Sequence, residues 1–278
     1  MSAGLDPSSD RFGKIYLTPG LSSFTEFLAV AAPDLLPGRR PLPAVADLAP
    51  HGTTVMALAS AQGVVMAGDR RATMGNLIAN RELQKVFQAD EYSVVGMAGT
   101  AGIGVELIRL FQMELEHYEK IEGAQLSVPG KANRLATLVR DNLGAAMQGL
   151  TMLPIYAAYD LDAADPDKVA RIFSFDMVGG RYEETGFDGI GSGSPSAKAA
   201  LKKRYRPGLS IDETVRLAVE SLYDAADEDT ATGGPDLIRK IYPIVMAVTA
   251  EGVRRFTDDE VGAVAEAVVR GRLETPGG

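Results

Sequence analysis

The sequence contains no cysteine and only two histidines among its 278 residues. The absence of cysteine excludes disulfide bonds, thiolate metal sites and a cysteine nucleophile, and it fits a reducing cytoplasm, where we expect the protein to work. His51 lies in a proline- and glycine-rich stretch and His117 on a charged helix face, so we interpret both as non-catalytic. An enzyme built from this chain is therefore expected to take its general base from another residue type.

Positive charge and long apolar runs are also scarce. The 28 Lys and Arg residues face 37 Asp and Glu residues, which gives a formal net charge of −9. Phosphate backbones bind clustered positive charge, so nucleic acid is not an expected partner. No run of about eighteen apolar residues occurs, so no helix is expected to span a membrane. With 46% hydrophobic residues, the chain can form one large core or two small ones.

The first 52 residues differ in texture from the rest. They hold seven of the 15 prolines, namely Pro7, Pro19, Pro33, Pro37, Pro41, Pro43 and Pro50. Such spacing prevents long helices and central strands. One short helix is predicted over Phe24–Ala32, because Ser23 is a good N-cap and Glu26 completes a capping box.

Two interpretations of this segment compete. A secretory signal is disfavoured because the start is not basic and the pair Arg39–Arg40 follows the apolar stretch. We therefore expect residues 1–52 to form a detachable pro-segment and residues 53–278 to form the main domain, with residues 273–278 as a flexible tail.

Predicted strands and helices from Thr53 onward occur in groups. The first group has four strand-like segments, TTVMALA, GVVMAGD, ATMGNLIA and YSVVGMAG, followed by helices over Ile103–Tyr118 and Leu135–Gln148. The second group has three, LPIYAAYD, ARIFSFD and RYEETGFDG, followed by helices over Ser196–Tyr205 and Asp212–Ala226. The third group has two, YPIVMAVT and EGVRRFT, followed by a helix over Asp258–Arg272. This order lacks strict βαβ alternation, which argues against a doubly wound parallel sheet. We predict an α+β fold, a four-layer αββα sandwich of two antiparallel sheets covered by helices.

Thr53 follows a glycine and opens a strand that is expected to be buried. A threonine hydroxyl is a weak nucleophile, but an N-terminal threonine carries a general base as its own α-amino group. The ordinary pKa of that group, about 7.7–8, lies close to neutral pH. Such chemistry requires a cut between Gly52 and Thr53, because only the cut frees the amine.

Other residues that could support this chemistry follow in the sequence. Asp69 lies at the end of the second strand in GDRR, and Lys85 precedes another short strand. GMAGTAG at residues 96–102 is a glycine-rich turn into a helix, where backbone N–H groups can stabilise an oxyanion. GSGS at 191–194 and DEDTATGG at 227–234 come later. Taken singly, each has a simple structural explanation as a turn, a cap or a solvated charge.

Together these motifs resemble the β subunits of the 20S proteasome, closest to the actinobacterial type, within the N-terminal nucleophile hydrolases. The resemblance covers nearly all of Thr53–Arg272, and it implies the αββα fold. It also implies Thr53 as nucleophile and the Gly52–Thr53 bond as the processing site.

The resemblance assigns the remaining roles residue by residue. Asp69 matches the buried acid, Lys85 the catalytic lysine, and Gly99 the glycine whose N–H forms the oxyanion hole. Ser192 and Asp229 match the serine and acid near the Thr53 amine, and Thr232 stands where the family has a second serine. The matching substrate-channel residues are Ala72, Thr73, Met97 and Ala101. Met97 at the floor of the S1 pocket suggests an apolar P1 side chain.

The resemblance also implies partners. These are a homo-heptameric β ring, rings of α subunits, an ATP-dependent unfoldase ring, and substrates tagged with a small ubiquitin-like protein modifier. No cofactor or metal is expected. The acidic residues Asp224, Asp227, Glu228 and Asp229 lack EF-hand spacing, and GSGSPSAK lacks the Gly-Lys-Ser/Thr ending of a phosphate loop.

Three alternatives remain open at this stage. The chain could be another N-terminal nucleophile hydrolase, either a two-ring heat-shock peptidase or an amidase for small amides. It could also be a non-catalytic structural subunit of the same ring, although the presence of Thr53, Asp69 and Lys85 argues against that.

Overall fold

The computed structural model of the protein describes residues 23–36, 52–165 and 168–275. Its strands are β1 (Thr54–Ser60), β2 (Gly63–Gly68), β3 (Ala72–Met74), β4 (Leu77–Asn80), β5 (Val86–Asp90), β6 (Ser93–Gly99), β7 (Met152–Tyr159), β8 (Ala170–Phe175), β9 (Arg181–Glu184), β10 (Phe187–Gly191), β11 (Ile244–Thr249) and β12 (Gly252–Arg255). Its α-helices are α1 (Phe24–Ala31), α2 (Ala101–Glu122), α3 (Val128–Asp141), α4 (Leu143–Ala146), α5 (Ser194–Arg204), α6 (Ile211–Glu228) and α7 (Asp258–Glu274). A 3₁₀ turn covers Pro33–Leu35.

Ten of these strands form two antiparallel sheets. One sheet has the order β10-β1-β2-β11-β12, and the other runs β5-β6-β7-β8-β9. The remaining two strands, β3 and β4, form a separate hairpin. Strand β1 lies inside its sheet, paired to β10 on one side and to β2 on the other. The strand that follows Thr53 is therefore held on both sides.

Successive side chains of β1 point to opposite faces of the sheet, and each face packs against a different layer. Val55 and Ala57 belong to a core cluster between the two sheets, together with Ile155 and Ile172 of the other sheet. Met56 and Leu58 point the opposite way, into a cluster with residues of α5, α6 and α7. A strand buried on both faces reads as a continuous apolar run, which is what this segment shows.

Helices cover the outer face of each sheet. Helices α2 and α3 contribute Leu107, Phe111 and Leu135 to a core with residues of β6, β7 and β8. Helices α5, α6 and α7 cover the other sheet. The predicted α+β sandwich of four layers is therefore confirmed. No helix of the described residues is long and apolar enough to cross a membrane.

Helix starts follow local capping signals. The Ser210 and Thr257 side chains accept from the backbone of Glu213 and Glu260, and those glutamates bond back to the cap, which completes two capping boxes. Of the predicted capping box at Ser23, the structure shows the bond from the N–H of Glu26 to the Ser23 side chain, at 3.2 Å. The predicted short helix is present as α1 and ends one residue earlier than predicted, at Ala31.

Several predicted boundaries differ from the structure. ATMGNLIA is a hairpin that turns at Gly75, with β3 on one side and β4 on the other. RYEETGFDG contains two strands in different sheets, β9 and β10. Helix α2 continues to Glu122, and α3 begins at Val128, with Pro129 in its first turn. Helix α7 reaches Glu274, and residues 276–278 lie outside the described residues.

Candidate active site

The peptide bond between Gly52 and Thr53 lies in a buried site at the start of β1. Thr53 is only 4% exposed. Its Oγ1 donates a hydrogen bond to the Gly52 carbonyl oxygen at 2.5 Å. Lys85 Nζ donates to the same oxygen at 2.9 Å. Two donors, one of them cationic, therefore converge on a single carbonyl and polarise it.

Gly52 occupies a position that only glycine fits. Its φ of +102° lies in the region that other residues rarely adopt. A Cβ atom there would lie 2.7 Å from Thr73 Oγ1 and 3.0 Å from Ala231 Cβ. Both the backbone angle and the surrounding walls explain why a glycine precedes Thr53.

Asp69 joins the start of β1 to Lys85 through a buried ion pair. Its Oδ1 accepts from Lys85 Nζ and from the backbone N–H of Thr54, each at 2.7 Å. Its Oδ2 accepts from the N–H groups of Arg71 and Gly233, each at 2.8 Å. The Asp69 side chain is 0% exposed, but four donors compensate its loss of water.

Lys85 has three acceptors, which are Asp69, Gly52 and the carbonyl oxygen of Arg71. Burial lowers the pKa of Lys85 below its ordinary value, although Asp69 acts in the opposite direction. The Arg71 charge lowers it further. Lys85 is therefore a cation that is easier to deprotonate than a surface lysine.

A second cluster surrounds Asp229. Its Oδ2 accepts from Ser192 Oγ at 2.6 Å and from Thr232 Oγ1 at 2.7 Å. Partial burial acts to raise the pKa of Asp229, but these hydroxyl donors and the Ala231 N–H outweigh it and hold that pKa below its ordinary value. Ser192 Oγ also lies 3.4 Å from the Thr53 carbonyl oxygen, so the second cluster reaches the candidate nucleophile.

Thr54 and Arg71 are part of the site, but the sequence analysis gave them no role. Because Thr232 donates its one hydroxyl hydrogen to Asp229, the Thr54 hydroxyl donates to Thr232 at 2.6 Å. Arg71 Nη1 donates to the carbonyl oxygens of Thr230 and Thr232 at 3.0 and 3.2 Å. Their positions in GTT and GDRR, beside residues already singled out, were the available signals.

Gly99 ends β6 in a conformation that also requires glycine. Its φ is +109°, and a Cβ there would lie 2.2 Å from the carbonyl oxygen of Thr151. The next residue, Thr100, occupies the N-cap position of α2 without a capping bond from its side chain. Two residues before Gly99, the Met97 N–H donates to the Lys85 carbonyl oxygen at 2.9 Å, which ties this turn to the Lys85 segment.

Two of the predicted substrate-channel residues, Met97 and Ala101, lie on the elements that flank this turn, and the other two lie on β3. Ala72 and Thr73 are buried in β3, and Ala101 is the half-buried first residue of α2. Met97 is 3% exposed and packs closely on Gly104 of α2.

Hydrogen bonds thus connect the side chains of six predicted catalytic residues, namely Thr53, Asp69, Lys85, Ser192, Asp229 and Thr232. Of the two histidines, His117 lies on α2, where its ring contacts the rings of Phe24 and Phe27, and His51 lies outside the described residues. Within the described ranges, no group of three or more His, Cys, Asp or Glu side chains could hold a metal ion.

Comparisons with known proteins identify the family of the chain. Residues 49–239 match the model of a family described as Proteasome subunit. A protein of Stackebrandtia nassauensis named Proteasome subunit beta is 61% identical over 265 residues, which is 95% of each chain. Proteins of the same name from Saccharopolyspora erythraea and Parafrankia sp. are 56% and 57% identical, and each alignment covers at least 98% of both chains.

These matches span the sandwich, the Gly52–Thr53 bond and the Asp229 cluster. Family membership implies a role in protein degradation and assembly into rings with α subunits. The chain belongs to the proteasome subunit family, as a β subunit of the 20S proteasome of actinobacterial type.

Proposed function

We propose that the chain is the precursor of a threonine endopeptidase, with residues 1–52 as the pro-segment and residues 53–278 as the catalytic domain. The observation that carries this proposal is the convergence of Thr53 Oγ1 and Lys85 Nζ on the Gly52 carbonyl oxygen. While that peptide bond is intact, Thr53 has no free amine, so the chain as written is a zymogen.

Maturation uses the same hydroxyl as later catalysis. Thr53 Oγ attacks the Gly52 carbonyl carbon, and the Lys85 ammonium stabilises the negative oxygen of the tetrahedral intermediate. The C–N bond then breaks, the hydroxyl proton ends on the released amine, and an ester joins Gly52 to Thr53. Water hydrolyses that ester, leaving a carboxylate on Gly52 and a free amine on Thr53.

The mature enzyme attacks other peptide bonds in the same way. The Thr53 amine takes the hydroxyl proton as Oγ attacks the scissile carbonyl carbon. The C–N bond then breaks, that proton passes to the leaving amine, and water hydrolyses the ester-linked acyl-enzyme to a carboxylate and the free hydroxyl. Lys85, held by Asp69, stabilises the developing negative charge. The N–H of Gly99 is proposed as the oxyanion donor for substrates, since its turn is tied to the Lys85 segment.

The Asp229 cluster supports the new amine. Ser192 already lies 3.4 Å from the Thr53 carbonyl oxygen and bonds to Asp229. We assign Thr232 the role of fixing the Asp229 carboxylate, because its hydroxyl donates to Oδ2 at 2.7 Å. A threonine serves here as well as a serine, since only the hydroxyl takes part.

Substrates are proposed to be unfolded proteins. Backbone groups of Thr73 and Ala101 would pair with a substrate laid in as an extra strand, with Ala72 beside it. Met97 would favour an apolar P1 side chain. A homo-heptameric β ring between α-subunit rings would enclose the sites in a cytoplasmic particle, fed by an ATP-dependent unfoldase ring with tagged proteins.

The intact mass of the purified chain, co-expressed with its α subunit, tests the proposal. We expect the mass of a chain beginning at Thr53, together with hydrolysis of short peptides that carry an apolar P1 residue. A chain that stays at full length in the assembled particle and hydrolyses no peptide would refute it. The particle mass separates the alternatives, because a two-ring peptidase and a small amidase are both smaller than a cylinder of 28 subunits.

Gly52→Ala is expected to slow maturation by about 5- to 150-fold. The new methyl group must move Thr73 or Ala231 and must tolerate a φ of +102°, a strain of about 1–3 kcal/mol in the reacting geometry. Gly75→Ala is the matched control, because Gly75 has a φ of +55° but no atom within 4 Å of the added Cβ. Time courses of precursor loss measure both. Equal rates would show that the Gly52 conformation does not matter.

The lowered pKa of Lys85 predicts a pH-dependent stability. Between that pKa and the ordinary 10.5, the unfolded chain binds more protons at Lys85 than the folded chain. The free energy of unfolding contributed by this residue therefore rises with pH across that window. Urea unfolding over an alkaline pH series gives the free energy of unfolding of the Thr53→Ala chain and of the Thr53→Ala/Lys85→Met chain. The first value minus the second is the Lys85 contribution, and it should rise with pH. A difference that stays constant or falls would contradict the prediction.

A further inference from the structure

Glu114 is a buried carboxylate that the proposed mechanism does not use. It lies on α2 and is only 1% exposed. Its Oε1 accepts from Ser23 Oγ at 2.7 Å and lies 3.5 Å from Arg134 Nε. Its Oε2 accepts from the N–H and Oγ1 of Thr25 at 2.7 and 3.0 Å. Three of these four contacts come from residues 23–25, at the start of α1.

The arrangement joins two favourable interactions. A helix N-terminus carries free N–H groups and the positive end of the helix dipole, so a carboxylate placed there is stabilised. Ser23 caps α1 and donates to Glu114 at the same time. The buried Glu114 carboxylate depends on these donors, because burial of an unpaired carboxylate is costly.

Apolar contacts surround this charged centre. Leu28 and Leu36 are buried in the cluster that contains residues of α2 and α3. The rings of Phe24 and Phe27 lie 5.5 and 6.3 Å from the ring of His117, between centroids. We call the surface of α2 and α3 that receives these residues the pro-helix groove; it includes Leu107, Leu110, Glu114, Arg134 and Leu138.

We propose that the pro-helix groove is a binding site for the cleaved pro-segment, and that Glu114 recognises the start of α1. This inference rests on the proposed function, because the cut after Gly52 is what makes the pro-segment a separate peptide. The ligand is a peptide whose helix begins with Ser23 and Thr25 and presents apolar side chains on one face. Cleavage therefore does not by itself release the pro-segment.

A full-length Thr53→Ala chain provides the test. A recognition site for a sequence-specific protease is inserted between residues 44 and 49, and the folded chain is cut there. Gel filtration over a dilution series then reports whether the N-terminal fragment elutes with the body, and at what dissociation constant. We expect co-elution. If the fragment separates at every concentration from a body that keeps Glu114, the proposal is overturned.

Variants identify the determinant. Glu114→Gln keeps the shape but removes the charge, and we expect the dissociation constant to rise at least about tenfold, since hydrogen bonds to charged groups are the stronger ones. Glu119→Gln is the matched control, because Glu119 is an exposed glutamate on the same helix. Equal constants for the Glu114 variant and the control would show that Glu114 recognises nothing.

Changes on the fragment side leave every residue of the body as it is. Ser23→Ala with Thr25→Val removes two hydroxyl donors to Glu114, and should weaken binding to a similar extent. Combined with Glu114→Gln, the effects should be clearly less than additive, because both changes remove the same interaction. Full additivity would contradict direct recognition. The inserted cut needs no activity of Thr53, so failure of this test and failure of the proposed peptidase are separate results.

Discussion

The Thr53→Ala chain is expected to remain at full length and to hydrolyse no peptide. In the structure the Thr53 hydroxyl donates a hydrogen bond to the oxygen of the Gly52 carbonyl that it is proposed to attack. Alanine supplies no nucleophile in its place. Loss of a nucleophile in a hydrolase costs a factor on the order of 10⁴ to 10⁶ in rate. Both maturation and peptide hydrolysis should therefore fall below detection in ordinary assays.

Thr53→Ser is the matched control for that experiment. Serine keeps the hydroxyl and, after the cut, the α-amino group, so it should mature and retain peptidase activity. Intact mass and a peptide assay on the same preparation measure both properties for each variant. If Thr53→Ala matures and cleaves peptides at the unsubstituted rate, another residue is the nucleophile and the proposal is wrong.

The layered fold could be predicted because its causes are local. The strand at Thr54–Ser60 carries its own signal in a continuous apolar run, and the helices capped by Ser210 and Thr257 carry theirs in the capping residues. RYEETGFDG was harder, because one apparent strand serves two sheets. The residues that separate β9 from β10 carry no strong breaker except Gly186, whose φ is +79°.

The site could be predicted only in part, for a physical reason. Asp69 and Lys85 occur in recognisable motifs, but Thr54 acts through Thr232, which lies 178 positions away in sequence. Contacts of this kind depend on how distant parts of the chain meet in the fold, and the spacing of apolar residues along the sequence does not predict them. Recognition of α1 by Glu114 was missed for the same reason, since Glu114 lies 91 positions from Ser23.

Lys85→Met is expected to slow both maturation and peptide hydrolysis by about 10²–10³-fold, the usual effect of removing one oxyanion donor. The substitution keeps most of the length of the side chain but removes the cation that donates to the Gly52 carbonyl oxygen. It also leaves the buried carboxylate of Asp69 without its ion-pair partner, at a cost of about 3–5 kcal/mol in unfolding free energy. A loss of rate could therefore arise from chemistry or from instability.

Lys131→Met separates these two causes. Lys131 is also a buried lysine in an ion pair, with Asp90 at 2.7 Å, but it lies on α3 in the helical layer. Its loss should lower the urea midpoint by a comparable amount, while the rate of maturation stays near the unsubstituted value. A Lys85→Met chain that matures as fast as the Lys131→Met chain would exclude Lys85 from the reaction. Slow maturation in Lys85→Met alone, at matched stability, would assign the effect to the charge beside Gly52.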